Sequence, residues 1–379
     1  MTIRRTTALA CIAALLLLFL PGTGLDARRA APPDRLDDAT FWRTFTEFSE
    51  PDGAFRSENL VSNERTFPAV LPEVARRASP TGAYVGVGPE QNFSYLAALR
   101  PRIAFIVDIR RQNAILHLLY KALFEVAANR ADFLSRLLSR PRPRGLDSAS
   151  SVGDLLAAYA GVPRSPRLFD ANLKEIQSRL VEKHHFALND EDLGALKYVC
   201  FAFFEAGATL QYSYGSSRRG RPFPTFAELM TATDDQGVAR SFLAREESYE
   251  TLREMQRRNL IIPVVGDFAG ARALKSVAAY LGGRGFTATV FYASNVESYL
   301  FRNDDWRIFY GNVAALPLDR RSVLIRSVFG GFGGFGGAGA DYPGLGRPGS
   351  LQLDPLEDLL AAFRRGEISN YGDLVARSK

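Results

Sequence analysis

Two glycines and an aspartate have the types and spacing that a nucleoside site would need. Gly86-Val87-Gly88 allows a tight backbone turn and close approach of a ligand, and the segment after it would offer free helical N–H groups. Asp108 follows 22 residues after Gly86, at the end of the next apolar run, where a carboxylate can accept both hydroxyl hydrogens of a ribose. A plain glycine turn followed by a helix-capping aspartate uses the same residues. A dinucleotide fingerprint would want a third glycine near position 91, where Gln91 stands.

The neighbouring residues narrow the ligand class. Pro89 and Glu90 oppose phosphate at the turn, whereas Glu90 would attract the ammonium group of S-adenosylmethionine. The expected cofactor set is Gly86, Gly88, Glu90, Asn92, Asp108, Arg110, Asn113 and Asp267. Asp267 follows an apolar run and could meet adenine, act as a general base or cap a helix. Glu64, Asp267 and Asn295 are the catalytic candidates, which would orient a methyl acceptor. Asn59, Ser62, Asn63, Ser294 and Glu297 are the substrate-binding candidates. Residues 59–64 would fold over the cofactor mouth or close a local turn. Ser294 and Glu297 also have the spacing of a capping box.

The elements that must position these residues alternate in type. Ala83 to Val87 reads as a short buried strand and Gln91 to Leu99 as a helix. Ile103 to Val107 is continuously apolar, the mark of a strand covered on both faces. From Arg111 the period changes: Ile115, Leu118, Leu119, Ala122, Leu123 and Val126 form one helical stripe. Residues 130–258 lack such strands and read as a mainly helical insertion or lid. Leu260 to Val265, Thr287 to Tyr292 and Ser322 to Phe329 resume the strand pattern, with helices from Ala271 and Val296. A glycine-rich segment, 330–350, precedes a closing helix from Asp354 to Arg365 within 351–379. The expected divisions are therefore 28–81, 82–129, 130–258, 259–329, 330–350 and 351–379, behind a leader of 1–27.

Composition excludes several chemistries. The 379 residues hold three histidines and two cysteines, too few for a three-histidine zinc site with a spare base or for a disulfide framework. Cys200 lies in an apolar run and reads as a buried, inert thiol. The net charge of +6 is spread along the chain, so no nucleic-acid partner is expected. No GxSxG, P-loop or HExxH motif occurs. Arg4-Arg5, the 13 apolar residues from Ala8 to Leu20 and the break at Pro21 resemble a secretory signal cleaved near Ala27. A secreted or periplasmic protein is expected, without a membrane span in the mature chain; an uncleaved anchor is the other reading.

Five motifs in order carry a family resemblance: residues 57–64, 86–95, 107–113, 264–270 and 291–301. Together they resemble a family of uncharacterised bacterial proteins with a methyltransferase-like fold. Tyr84 and Glu90 stand where well-studied methyltransferases carry an acid and a third loop glycine. The resemblance implies an α/β Rossmann-like, methyltransferase-type open sheet, with helices on both faces and S-adenosylmethionine as cofactor. The expected function is methyl transfer to an undefined acceptor. Because S-adenosylmethionine is made inside cells, an exported non-catalytic binding protein is the alternative, as is a binder of another nucleoside or nucleotide.

Overall fold

The computed structural model describes residues 33–79, 81–215, 223–328 and 350–378. The leader 1–27, the basic run from Arg218 to Arg221 and nearly all of the glycine-rich segment lie outside these residues.

Six strands form one open, mixed sheet in the order β3-β2-β1-β4-β5-β6. They are β1 (Ala83–Gly86), β2 (Ile103–Asp108), β3 (Ile261–Val265), β4 (Ala288–Ser294), β5 (Val323–Val328) and β6 (Ser350–Pro355). The first five are parallel; β6 pairs antiparallel with β5, Ile325 opposite Leu353. All residues of β1, β2, β3 and β5 are buried, because helices cover both faces. The chain steps outward from β1 to β2 to β3, then returns to β4 beside β1. Crossovers in opposite directions make the β1/β4 carboxyl ends the switch point of the sheet, the place where doubly wound sheets take ligands.

Two helices precede the sheet, α1 (Asp38–Phe48) and α2 (Phe67–Arg77). The β1–β2 crossover is α3 (Gln91–Leu99), which ends at left-handed Arg100 just before Pro101. After β2 comes α4 (Arg111–Val126), whose residues 113–124 are all buried. Between α4 and β3 lie α5 (Arg130–Leu138), α6 (Val152–Ala160), α7 (Pro166–Gln177), α8 (Asp190–Ala206), α9 (Phe226–Thr231) and α10 (Glu246–Arg257), with a π-helical turn at Ser178–Lys183. This helical block is fastened to the sheet layer by Arg111, which grips buried Asp192 with two hydrogen bonds. Arg130, fully buried, ties α5 to Glu246 and to the carbonyls of Leu243, Ala244, Ser148 and Ser150.

The second half adds α11 (Ala273–Gly283), α12 (Val296–Asn303), α13 (Trp306–Ala314), α14 (Leu356–Arg364) and α15 (Tyr371–Arg377). Residues 350–355 were expected to lead into a helix; they form an edge strand instead, and the helix starts at Leu356. The reason is Arg326 of β5, which reaches Asp354 and Ser378 and so holds the last segment against the sheet edge. No helix among the described residues is long and apolar enough to cross a membrane.

Candidate functional site

The carboxyl ends of the parallel strands are crossed by the segment between α1 and α2, residues 49–64, which acts as a strap. It meets β3 first. Val265 N–H donates to Ser49 Oγ at 3.0 Å, and Glu50 N–H donates to Val265 O at 2.8 Å. At β2, Gly53 N–H donates to Ile109 O at 2.9 Å, and Asp52 Oδ1 accepts from Arg111 N–H at 2.6 Å. Arg110 then donates through Nη1 to the carbonyls of Ser57 and Glu58, both at 2.7 Å. Asn59, with φ of 47°, places its side-chain amide beside Gly88 of the β1 turn. The strap ends at β4, where Glu64 meets Tyr292 and Ser294.

At β1 the turn is held from inside. Asn92 donates through Nδ2 to the carbonyls of Val87, Gly88 and Pro89, and its Oδ1 accepts from Tyr84 Oη–H at 2.8 Å. A Cβ on Gly86 would lie 2.1 Å from Asn92 Oδ1, so the space made by that glycine belongs to Asn92 and Tyr84. Gly86 and Asn92, expected to hold cofactor, therefore shape the loop itself. Gly88 has φ of 79°, which requires glycine, and its carbonyl accepts from His117 Nε2–H at 2.9 Å. A carbonyl can only accept, so Nε2 carries the proton and Nδ1 is a bare, unpartnered acceptor. Burial pushes His117 down to about 4, partly offset by that carbonyl, leaving the ring neutral at pH 7.

Beneath the strap lies a buried polar chain. Glu90 accepts from Ser62 N–H, at 3.1 and 3.2 Å, and from its own N–H, and burial pushes its carboxyl up to about 7. Ser62 Oγ–H donates to Gln91 Oε1, and Gln91 Nε2 donates to Glu64 Oε2 at 2.9 Å and to Tyr95 Oη at 3.1 Å. Glu64 also accepts from Tyr292 Oη–H and Ser294 Oγ–H; burial still raises its carboxyl above the usual range. Its hydrogen-bond partners are all neutral, and it is 1% exposed, so proton exchange with a substrate would need the strap to move. Ser294 sits at the end of β4 in a left-handed conformation, φ 50°, a strained state for a residue other than glycine. Asn295 starts α12 without a side-chain capping bond, and Asn63 is half-buried on the strap.

Besides His117 Nδ1, Asp108 and Asn113 have capacity left. Asp108 accepts from Arg110 N–H at 3.0 Å and from Gly88 N–H, with Arg110 Nε 3.7 Å away. Burial raises its carboxyl, and Arg110 and the two amides pull the other way. Asn113 is 2% exposed, and neither end of its amide has a hydrogen-bond partner. It lies one helical turn before His117 on the same face of α4, turned toward the β1 loop.

The remaining expected residues lie apart. Glu297 does not cap α12 with Ser294. It pairs with fully buried Arg326 through two hydrogen bonds and accepts from Tyr310 Oη–H at 2.6 Å. The side chain of Asp267 accepts from Ala269 N–H at 2.8 Å, inside its own turn at β3. Sequence reasoning missed Glu50, Asp52 and Gln91. Glu50 accepts from Asp267, Arg272 and Ala273 N–H groups at 3.1, 2.6 and 3.0 Å. The signal was present: neither α4 nor α11 has a capping side chain of its own, so each needed an acid from elsewhere.

The chain matches the model of the family described as "Domain of unknown function (DUF7790)" over residues 59–144 and 152–343. No curated protein matches it.

Proposed function

The chain belongs to the DUF7790 family, and we propose that it is a nucleoside-binding protein on a methyltransferase-type sheet, its ligand of the S-adenosylmethionine class. The observation that carries this reading is the amide of Asn113, buried with both ends unpartnered in the first turn of α4, the helix that follows Asp108 at the carboxyl end of β2. Leaving such a group unsatisfied costs about 1–3 kcal/mol per polar atom, and a ligand with a matching donor–acceptor edge removes that cost. The N6/N7 edge of adenine is such a partner for an asparagine amide. Asp108 would accept ribose hydroxyls. The strand order is that of a doubly wound dinucleotide-binding sheet, from which the antiparallel β6 departs at one edge.

The nucleoside end of S-adenosylmethionine fits these residues; its amino-acid end fits less well, because Glu90 is shut behind Ser62. When bound, the cofactor supplies an activated methyl group. Ser294 and Asn295, at the end of β4, would then position an acceptor, and the strap would exclude water. A non-catalytic binding role is the second reading, favoured by the full engagement of Glu64. Export by the leader belongs to the same proposal.

Calorimetric titration of the full chain with S-adenosylmethionine, its demethylated product and adenosine tests it. Saturable binding is expected, weakened by about 1–3 kcal/mol in Asp108→Ala and in Asn113→Leu. Absence of binding by all three compounds overturns the reading. Binding without methyl transfer across an acceptor screen favours the non-catalytic role.

A further inference from the structure

Helices that follow parallel strands point their N-termini at the carboxyl edge, and free amides there attract phosphate. In this protein the edge is supplied with carboxylates from within. Glu50 takes the two amides that open α11, Arg272 and Ala273 N–H, and that of Asp267 in the preceding loop. A Cβ on Gly270 would lie 2.2 Å from Glu50 Oε2, so the loop 266–270 is cut to fit that carboxylate. Asp52 takes the first amide of α4. Glu90 at the start of α3 and Glu64 at the end of β4 are shut in beneath the strap, so Glu50 and Asp52 are the carboxylates that occupy the edge. Two of the nearby cations are spent, Arg110 on Asp108 and two strap carbonyls and Arg111 on Asp192, while the exposed Arg272 at the start of α11 bonds the Ser49 carbonyl at 3.4 Å.

We infer that the strap makes this edge reject phosphate, with Glu50 as the built-in occupant of the anion cradle, and so restricts the site to nucleosides that are neutral or cationic. The inference rests on the nucleoside reading for its ligand but not for its cradle. A phosphate on a bound ribose that reached the start of α11 or α4 would face Glu50 or Asp52 rather than free amides.

Two measurements on the full chain test it. In thermal unfolding, sodium phosphate should raise the Tm of Glu50→Ala by several degrees over sodium chloride at matched ionic strength, by entering the emptied cradle. The wild type should show no such difference. An equal response of both proteins overturns the cradle. Where Glu50→Ala fails to fold, Glu50→Ser, which also empties the cradle, takes its place with the same expected response.

In calorimetry, the wild type should bind adenosine at least tenfold more tightly than 2′-, 3′- or 5′-AMP, and the glutamate variant should narrow that ratio several-fold. Equal wild-type affinity for adenosine and any of the three monophosphates overturns the selectivity. Failure of the wild type to bind any nucleoside overturns the functional reading and the selectivity together, while the phosphate arm still decides the cradle.

Discussion

Tyr84 donates its hydroxyl to Asn92 Oδ1 at 2.8 Å, in the space that a side chain at Gly86 would need. The same Asn92 fastens three consecutive carbonyls of the β1 turn. Gly86→Ala should therefore cost about 1–3 kcal/mol by overpacking. Asn92→Ala should cost about 2–4 kcal/mol by stranding buried carbonyls and the Tyr84 hydroxyl. The double variant should cost less than the two added together, since the clash at Gly86 is removed with the amide. Urea denaturation measures all three; strict additivity would mean that the glycine serves something other than Asn92.

Glu90 should make stability fall as pH rises. Its folded value of about 7 lies above the ordinary 4.5, so between these values the folded chain holds a proton that the unfolded chain releases. Stability is full below pH 4.5 and is lost through pH 7. The cost above pH 7 is on the order of 3 kcal/mol, at 1.36 kcal/mol per pH unit. Glu90→Gln should gain about 1–3 kcal/mol at pH 8 and almost nothing at pH 4.5, by urea denaturation at both. His117 tilts the wild-type profile the other way: buried neutral, it favours the folded state as pH rises from 4 to 6.5. The difference between variant and wild type isolates Glu90. A gain independent of pH would show that Glu90 is ionised throughout.

Most strands were legible because they are buried on both faces. The change of apolar period at Arg111 corresponds to the junction of β2 with α4. β6 was not legible: Ser350 to Pro355 is half-exposed at the sheet edge and owes its pairing to Arg326 and β5 rather than to its own pattern. The geometry of the candidate site was legible where the glycine turn and strand ends announce it, in the left-handed turn at Gly88 and in Asp108 at the end of β2. It was not legible where partners lie far apart in sequence. Glu64 and Ser294 are 230 residues apart, and no local spacing predicts that they share a hydrogen bond. Glu297 misled for the same reason: its partner Arg326 is 29 residues away, and the capping pattern around Ser294 is a coincidence of spacing.

Glu297 and Arg326 should behave as a structural pair. Each is 1% exposed or less, and Arg326 holds Asp354 as well. Glu297→Gln leaves a buried guanidinium short of one charge and should cost about 3–5 kcal/mol. Replacing the whole buried cluster by apolar residues, Glu297→Leu with Arg326→Met and Asp354→Leu, should recover much of that loss, because no buried charge is then left unpaired. Nucleoside affinity, measured where the variant is still folded, should stay at the wild-type value. A selective loss of affinity with stability unchanged would return Glu297 to the site.

Arg110 links the strap to Asp108, through two carbonyls on one side and Nε on the other. Arg110→Gln is too short to reach the carbonyls of Ser57 and Glu58, so the strap should open locally more often than the whole chain unfolds. Limited proteolysis should then cut within 51–60 about tenfold faster for each 1.4 kcal/mol of strap stability lost, while Tm falls little. Arg110→Lys keeps the charge but not the fork and should fall between the two. Its loss also leaves Asp108 without its cation, so the carboxyl should rise further and nucleoside affinity should weaken more at pH 5 than at pH 8. Cleavage that merely follows Tm would mean that the strap does not open on its own and that a ligand must enter by another route.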